Sequence, residues 1–203
     1  VHTIDEQKAV GICGSGMIDL AAALFLSKRI DIRGKFDPEV CGDELIETDG
    51  IASFILVNKE ESGTGEHICL SQVDLNSLTS SKAAMYTILE VIVKNTSGLD
   101  YEDLEHFFVA GTFGSFIDPV SAITIGMLPD IPVSTFQVLG NSSLGGATLL
   151  LQEPEAFERI LAIRESITYI ELNVNQEFMN MFSGAKFYPH TDRSRFPSLK
   201  GKI

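Results

Sequence analysis

Two glycine clusters stand where a chain could hold a flat ring or a phosphate. In FFVAGTFG at 107–114, four apolar residues run straight into Gly111, Thr112, Phe113 and Gly114. Glycine at the carboxyl end of an apolar strand leaves the main chain bare, and open α/β sheets take their ligands beyond that end. The same residues also make an ordinary strand-to-helix turn, and on residues alone both readings stand. In GNSSLGGA at 140–147, Gly140 and Asn141 open a helix that carries Gly145 and Gly146. Glycine early in a helix costs about 1 kcal/mol relative to alanine, so something is expected to approach that helix closely, either a neighbouring helix or a ligand.

A third turn, VGICGSG at 10–16, leads into the apolar run 17–27. Gly14 and Ser15 at the start of such a helix can present backbone N–H groups to an anion. The turn is not a P-loop, because the Lys-Ser or Lys-Thr ending is absent. Cys13, between Ile12 and Gly14, reads as a small packed residue, and Lys82, among Ser80, Ser81, Ala83 and Ala84, reads on its own as a solvated flank. Cys13, Cys41 and Cys69 form no CxxC pair, so they build neither a disulfide framework nor a zinc or iron-sulfur site by themselves. His2, His67, His106 and His190 are scattered and read as surface or singly hydrogen-bonded histidines.

These turns need elements to hold them. The run 17–27 is rich in helix formers; 29–49, with mixed charge and no sustained period, reads as a connection. Short β-rich runs at 51–57 and 67–70, separated by polar residues, predict a hairpin with a loose loop. The longest helix is expected from a cap at Asp74 to a stop near Gly98, with Leu75, Leu78, Lys82, Met85, Ile88, Leu89, Ile92 and Val93 on one stripe. Strands follow at 106–110 and 135–139, with a helical stretch at 119–125 between them and a helix opening at 140–147. The pattern then predicts an amphipathic helix at 154–167, a strand at 168–172, a helix at 177–182 and a loosely packed, basic tail. Strands alternating with helices indicate an α/β architecture.

The 203 residues carry a formal net charge of −13, which argues against a nucleic-acid partner, since that affinity rests on Lys and Arg meeting phosphates. No stretch reaches the roughly 18 consecutive apolar residues of a membrane span. Unpaired cysteines fit a reducing cytoplasm. The N-terminus VHTIDE has neither an initiator Met nor a secretory pattern and reads as a chain entered partway through.

Taken in order, GICGSGMIDL, SLTSSKAAMYTIL, FFVAGTFGSFIDP, IGMLP, LGNSSLGGATLLL, YIEL and FYPHTDRSRFPS resemble the C-terminal portion of the reductive activators of corrinoid proteins, including those of O-demethylase and methylamine methyltransferase systems. That resemblance implies a ribonuclease H-like half-domain of the actin, sugar kinase and heat-shock chaperone type of ATPase, with a small inserted α+β subdomain. It divides the chain into a core subdomain at 1–28 and 99–185, an inserted subdomain at 29–98 and a C-terminal strap at 186–203. It implies ATP with magnesium and an iron-sulfur cluster in the full-length protein, the cluster lying outside this chain. The partners it implies are a cobalamin-bound corrinoid protein, the missing N-terminal half of the same ATPase domain, and a second copy as a homodimer.

By the resemblance, Gly111, Thr112, Phe113 and Gly114 match the superfamily's adenosine motif, and Gly140 with Gly145, Gly146 and Ala147 its second connecting helix; Asn141, next to Gly140, is a further candidate for contact with the nucleotide. Lys82 falls on a helix that supplies basic contacts to nucleotide in chaperone relatives, and is expected across one cleft from the glycine turns. The superfamily's Asp-Gly phosphate hairpins have no counterpart, so the chain alone is expected to lack ATPase activity. A competing reading is a non-catalytic acidic module that binds a corrinoid or methyltransferase partner or dimerises. An activator of a radical dehydratase fits less well, because no cluster cysteines can be placed.

Overall fold

The computed structural model describes residues 3–203, and the expectation for His2 lies outside them. In chain order the main elements are α1 (Gly14–Leu26), α2 (Pro38–Cys41), β1 (Leu45–Thr48), β2 (Ile51–Val57), β3 (Ile68–Ser71), α3 (Gln72–Glu90), β4 (Phe107–Ala110), α4 (Pro119–Thr124), β5 (Phe136–Gly140), α5 (Ser142–Gln152), α6 (Ala156–Ser166) and α7 (Gln176–Ala185). Among the described residues no helix is long and apolar enough to cross a membrane.

The strands form two sheets. β1, β2 and β3 make an antiparallel sheet in that order; β4 and β5 pair in parallel, with Phe107 opposite Phe136 and Ala110 opposite Gly140. The β2–β3 hairpin matches expectation, but β1 falls inside the stretch read as a connection. Its signal is the Asp49-Gly50 pair, both residues at positive φ, which closes β1 onto β2 with the twist a tight hairpin needs. An Asp-Gly hairpin therefore does exist in this chain, as the turn of the small sheet.

α3 begins one turn earlier than expected. Ser71 is its N-cap, accepting from the Asp74 N–H at 3.1 Å, while Asp74 returns a bond to the Ser71 N–H at 3.2 Å. Its inner face is also different. Leu75, Leu78 and Ala83 are buried with Thr79, Lys82, Tyr86, Thr87 and Glu90, whereas Met85 and Ile92 point outward. Apolar spacing missed this because Thr79, Lys82, Tyr86 and Glu90 find their partners in the C-terminal segment. Past Glu90 the helix widens into a π turn at Val91–Thr96 and stops at Gly98, which has a positive φ.

One core joins all the sequence intervals: Ile18, Leu24 and Phe25 of α1, Phe54 and Leu70 of the sheet, Leu75 and Leu78 of α3, Ala122 of α4, and Tyr188 from the C-terminal segment. A second cluster gathers Ala83, Tyr86, Ile123, Ala185, Phe196 and Leu199. The tail is thus packed into the protein rather than laid loosely over it. The strand expected at 168–172 does not form; this stretch is irregular and passes into a short 3-10 turn at Leu172–Val174, with Ile167 and Tyr169 exposed.

Candidate functional site

The two turns that follow β4 and precede α5 lie side by side. Parallel pairing brings the carboxyl ends of both strands to one edge, and there the Gly111 N–H donates to the Gly140 carbonyl at 2.7 Å. Gly111 holds φ at +92° and Gly140 at +65°, a region that side chains disfavour. The turn after Gly111 is closed by the Ser115 hydroxyl, which donates to the Gly111 carbonyl at 3.0 Å. Asn141 caps α5, its side-chain oxygen accepting from the Leu144 N–H at 3.0 Å, so this side chain is committed to the helix end.

α1 reaches the same place. A Cβ placed on Gly14 would sit 2.6 Å from the Phe113 ring, so glycine at 14 is what lets that ring lie against the start of α1. Cys13 caps the helix: its sulfur accepts from the Gly16 N–H at 3.4 Å and lies 3.5 Å from the Ser15 hydroxyl. The bond from Ser15, with help from Gly16, holds the exposed Cys13 thiol below its ordinary pKa. Cys13 is therefore an exposed cap rather than a packed residue.

Above this convergence the surface is open. A Cβ on Gly111, Gly140, Gly145 or Gly146 would meet no atom within 4 Å. No neighbouring helix among the described residues explains the two glycines in α5. Apolar side chains in the elements that carry the turns are exposed: Phe113 is 56% exposed, and Phe108, Val138, Leu139, Leu144 and Leu151 are exposed as well.

Lys82 is not part of this surface. Its side chain is wholly buried, and its ammonium donates to the carbonyls of Ala185 at 2.6 Å, Pro189 at 2.8 Å and Phe187. A lysine has three N–H donors, so none remains for a phosphate. Burial draws its pKa well below the ordinary value.

Residues that carry the C-terminal segment were not singled out by the sequence. The Tyr188 hydroxyl pairs with Thr79 at 2.9 Å, and burial pushes the Tyr188 pKa up to about 12. Arg195 donates to Glu90 at 2.5 Å and reaches Tyr86 at 3.5 Å. The available signal was the polar series 79, 82, 86 and 90, which recurs at helical spacing on α3. Among the described residues no group of three His, Cys, Asp or Glu side chains could hold a metal ion.

Residues 1–200 match the family model for the C-terminal domain of RACo, the ASKHA domain. The chain is 32% identical over 189 residues to the corrinoid activation enzyme RamQ of Eubacterium limosum, covering 88% of this chain and 31% of RamQ. It is 27% identical over 177 residues to the [Co(II) methylated amine-specific corrinoid protein] reductase of Methanosarcina barkeri, covering 86% of this chain and 28% of that protein. A solved structure, a reductive activator for corrinoid, iron-sulfur protein, superposes with a TM-score of 0.90 at 38% identity, over 97% of this chain and 31% of that one. The chain thus spans about a third of the length of the relatives it matches.

Proposed function

The chain belongs to the family of RACo C-terminal, ASKHA-type α/β domains, and from that premise we propose that it supplies the adenosine side of an ATP site in a reductive activator of corrinoid proteins. The observation that carries the reading is the bare floor made by Gly111, Gly140, Gly145 and Gly146 beyond the carboxyl ends of β4 and β5. A purine or ribose arriving there meets bare main chain with the Phe113 ring beside it. Helix N-termini favour negative charge, and α1, touched by the Phe113 ring, and α5, which follows Gly140, each bring one to this turn, so in this reading Gly14, Ser15, Thr112 and Gly114 line the approach for the phosphates.

In this reading the groups that hold magnesium and orient the attacking water come from a preceding segment of a longer protein, together with the iron-sulfur cluster. The cysteines here do not fit a cluster, since Cys13 is exposed at α1, Cys41 is buried at the end of α2 and Cys69 lies in β3. The cluster would supply the electron, and the residues of this chain hold and orient the nucleotide whose hydrolysis accompanies reduction of a partner's cob(II)alamin. The corrinoid protein is the partner, met by a surface whose overall charge is negative.

The test uses the longer protein. Gly111→Val places a branched side chain in the open floor, and ATP affinity, read by titration, should fall along with ATP-dependent formation of cob(I)alamin in the partner, read by absorbance. A folded variant with unchanged ATP affinity removes this turn from the site. The 203-residue chain by itself should turn over no magnesium-ATP above a protein-free control.

A second reading, a non-catalytic interaction module, is favoured by the exposed Phe108, Val138, Leu139, Leu144 and Leu151, a patch of the kind that another body covers. If the patch binds a second copy, light scattering of the isolated chain gives a dimer; if a preceding segment covers it, the longer protein loses that self-association.

A further inference from the structure

Lys82 is a wholly buried cation that the nucleotide reading leaves without a task. None of the ion pairs among the described residues includes it. The charge is met by dipoles: three carbonyls of one segment, at alternate residues 185, 187 and 189, converge on Nζ, and the Tyr188 ring lies 4.9 Å from it. Three protons on an ammonium match three acceptors, whereas a neutral amine has only two to give. Carbonyl oxygens and an aromatic face, with no carboxylate, make a site for a single positive charge stripped of water.

The frame around this site stands apart from the lysine itself. The Tyr188 hydroxyl is tied to Thr79 at 2.9 Å, and the Tyr188 N–H donates to the Ile32 carbonyl at 2.9 Å. Gly126, at φ +74°, lies so near that a Cβ there would fall 2.0 Å from the Pro189 carbonyl oxygen. Thr79 of α3, Ile32 and the turn after α4 thus hold the segment through contacts other than the lysine's own.

We infer that residues 185–189 form a cage for a dehydrated monovalent cation, filled in this protein from within by Lys82, and that shortening Lys82 lets ammonium or potassium take its place. A cage of neutral dipoles without a carboxylate favours a single charge over a double one. The inference rests on the cage alone, so it stands or falls separately from the nucleotide reading.

The experiment is thermal unfolding of the chain, of Lys82→Ala and of Lys82→Met in the chlorides of ammonium, potassium, sodium and tetramethylammonium at matched ionic strength. Lys82→Ala should unfold about 3 °C or more higher in ammonium and potassium than in tetramethylammonium, by mass action of an ion that binds only the folded state. The parent chain and Lys82→Met, whose cages are already filled, should show no such preference. The inference is overturned if Lys82→Ala has the same midpoint in all four salts, or shares its preference with the other two proteins. It is equally overturned if Lys82→Ala, alone or together with Lys82→Met, fails to fold even in ammonium.

Discussion

The Gly111 N–H and the Gly140 carbonyl meet across 2.7 Å, so the turn leaving β4 and the turn entering α5 are one rigid ledge rather than two loops. Both residues sit at positive φ over open space. Gly140→Ala therefore meets no steric neighbour, and its cost is backbone strain alone, about 1–2 kcal/mol. Denaturant unfolding should show that loss with an unchanged slope, and an unshifted midpoint would mean that the ledge relaxes freely.

Gly126 is the opposite case. Its Cβ would fall on the Pro189 carbonyl oxygen, a backbone atom that cannot swing aside, in addition to the strain of positive φ. Gly126→Ala should cost more than Gly140→Ala by at least about 2 kcal/mol, because a packed segment must move. Comparing the two alanine variants by thermal melting checks the difference, and equal losses would show that the C-terminal segment yields at little cost.

Glu90 is 3% exposed and takes its shortest bond, 2.5 Å, from Arg195, with Lys94 at 3.9 Å. Arg195→Met takes from a buried carboxylate its shortest bond. Breaking such pairs costs about 3–5 kcal/mol when both partners are buried, and Arg195 is a third exposed, so about 2 kcal/mol is expected. Adding Glu90→Gln removes the stranded charge and should recover part of the loss. A double-mutant cycle measures this, and strict additivity would deny the coupling.

Acid should loosen the same segment. The His190 pKa lies below 6.5, chiefly through burial and then through the nearby charges of Arg195 and Lys82. Nδ1 accepts from the Asp192 N–H at 2.9 Å, a bond available only while that nitrogen is unprotonated. Above pH 6.5 folded and unfolded chains are both neutral at this residue and it contributes no pH dependence. As pH falls through that value the unfolded chain gains a proton that the folded chain refuses, so stability declines until the folded pKa is passed. Melting temperatures followed downward from neutral pH should show the decline, and His190→Gln should flatten it.

The alternation of strand, glycine turn and helix was legible because each signal is local. VAG, VLG and the apolar runs beside them announce parallel strands that end at one edge, and Gly14, Gly111 and Gly140 were found where the pattern put them. The inner face of α3 was not legible. Lys82 looks solvated among serines and alanines, and only partners more than a hundred residues away, at 185, 187 and 189, reveal why a cation is buried there. The unformed strand at 168–172 has a related cause: Tyr-Ile-Glu-Leu has β propensity, but a strand exists only where a neighbour completes its ladder. β1 was missed for a simpler reason, since it ends a stretch of mixed charge without sustained period and its Asp-Gly turn was not read as a hairpin signal.

Tyr188 packs into the same core as Ile18, Phe54 and Leu70. During synthesis, α1 and the small sheet emerge before Tyr188 and wait for it before that core can close. At about 5–20 residues per second the delay from Leu70 to Tyr188 is on the order of ten seconds. Throughout it the faces of Ile18, Phe54 and Leu70 that Tyr188 covers stay open to the ribosome's surroundings, so the order of synthesis runs against the order in which this core is packed.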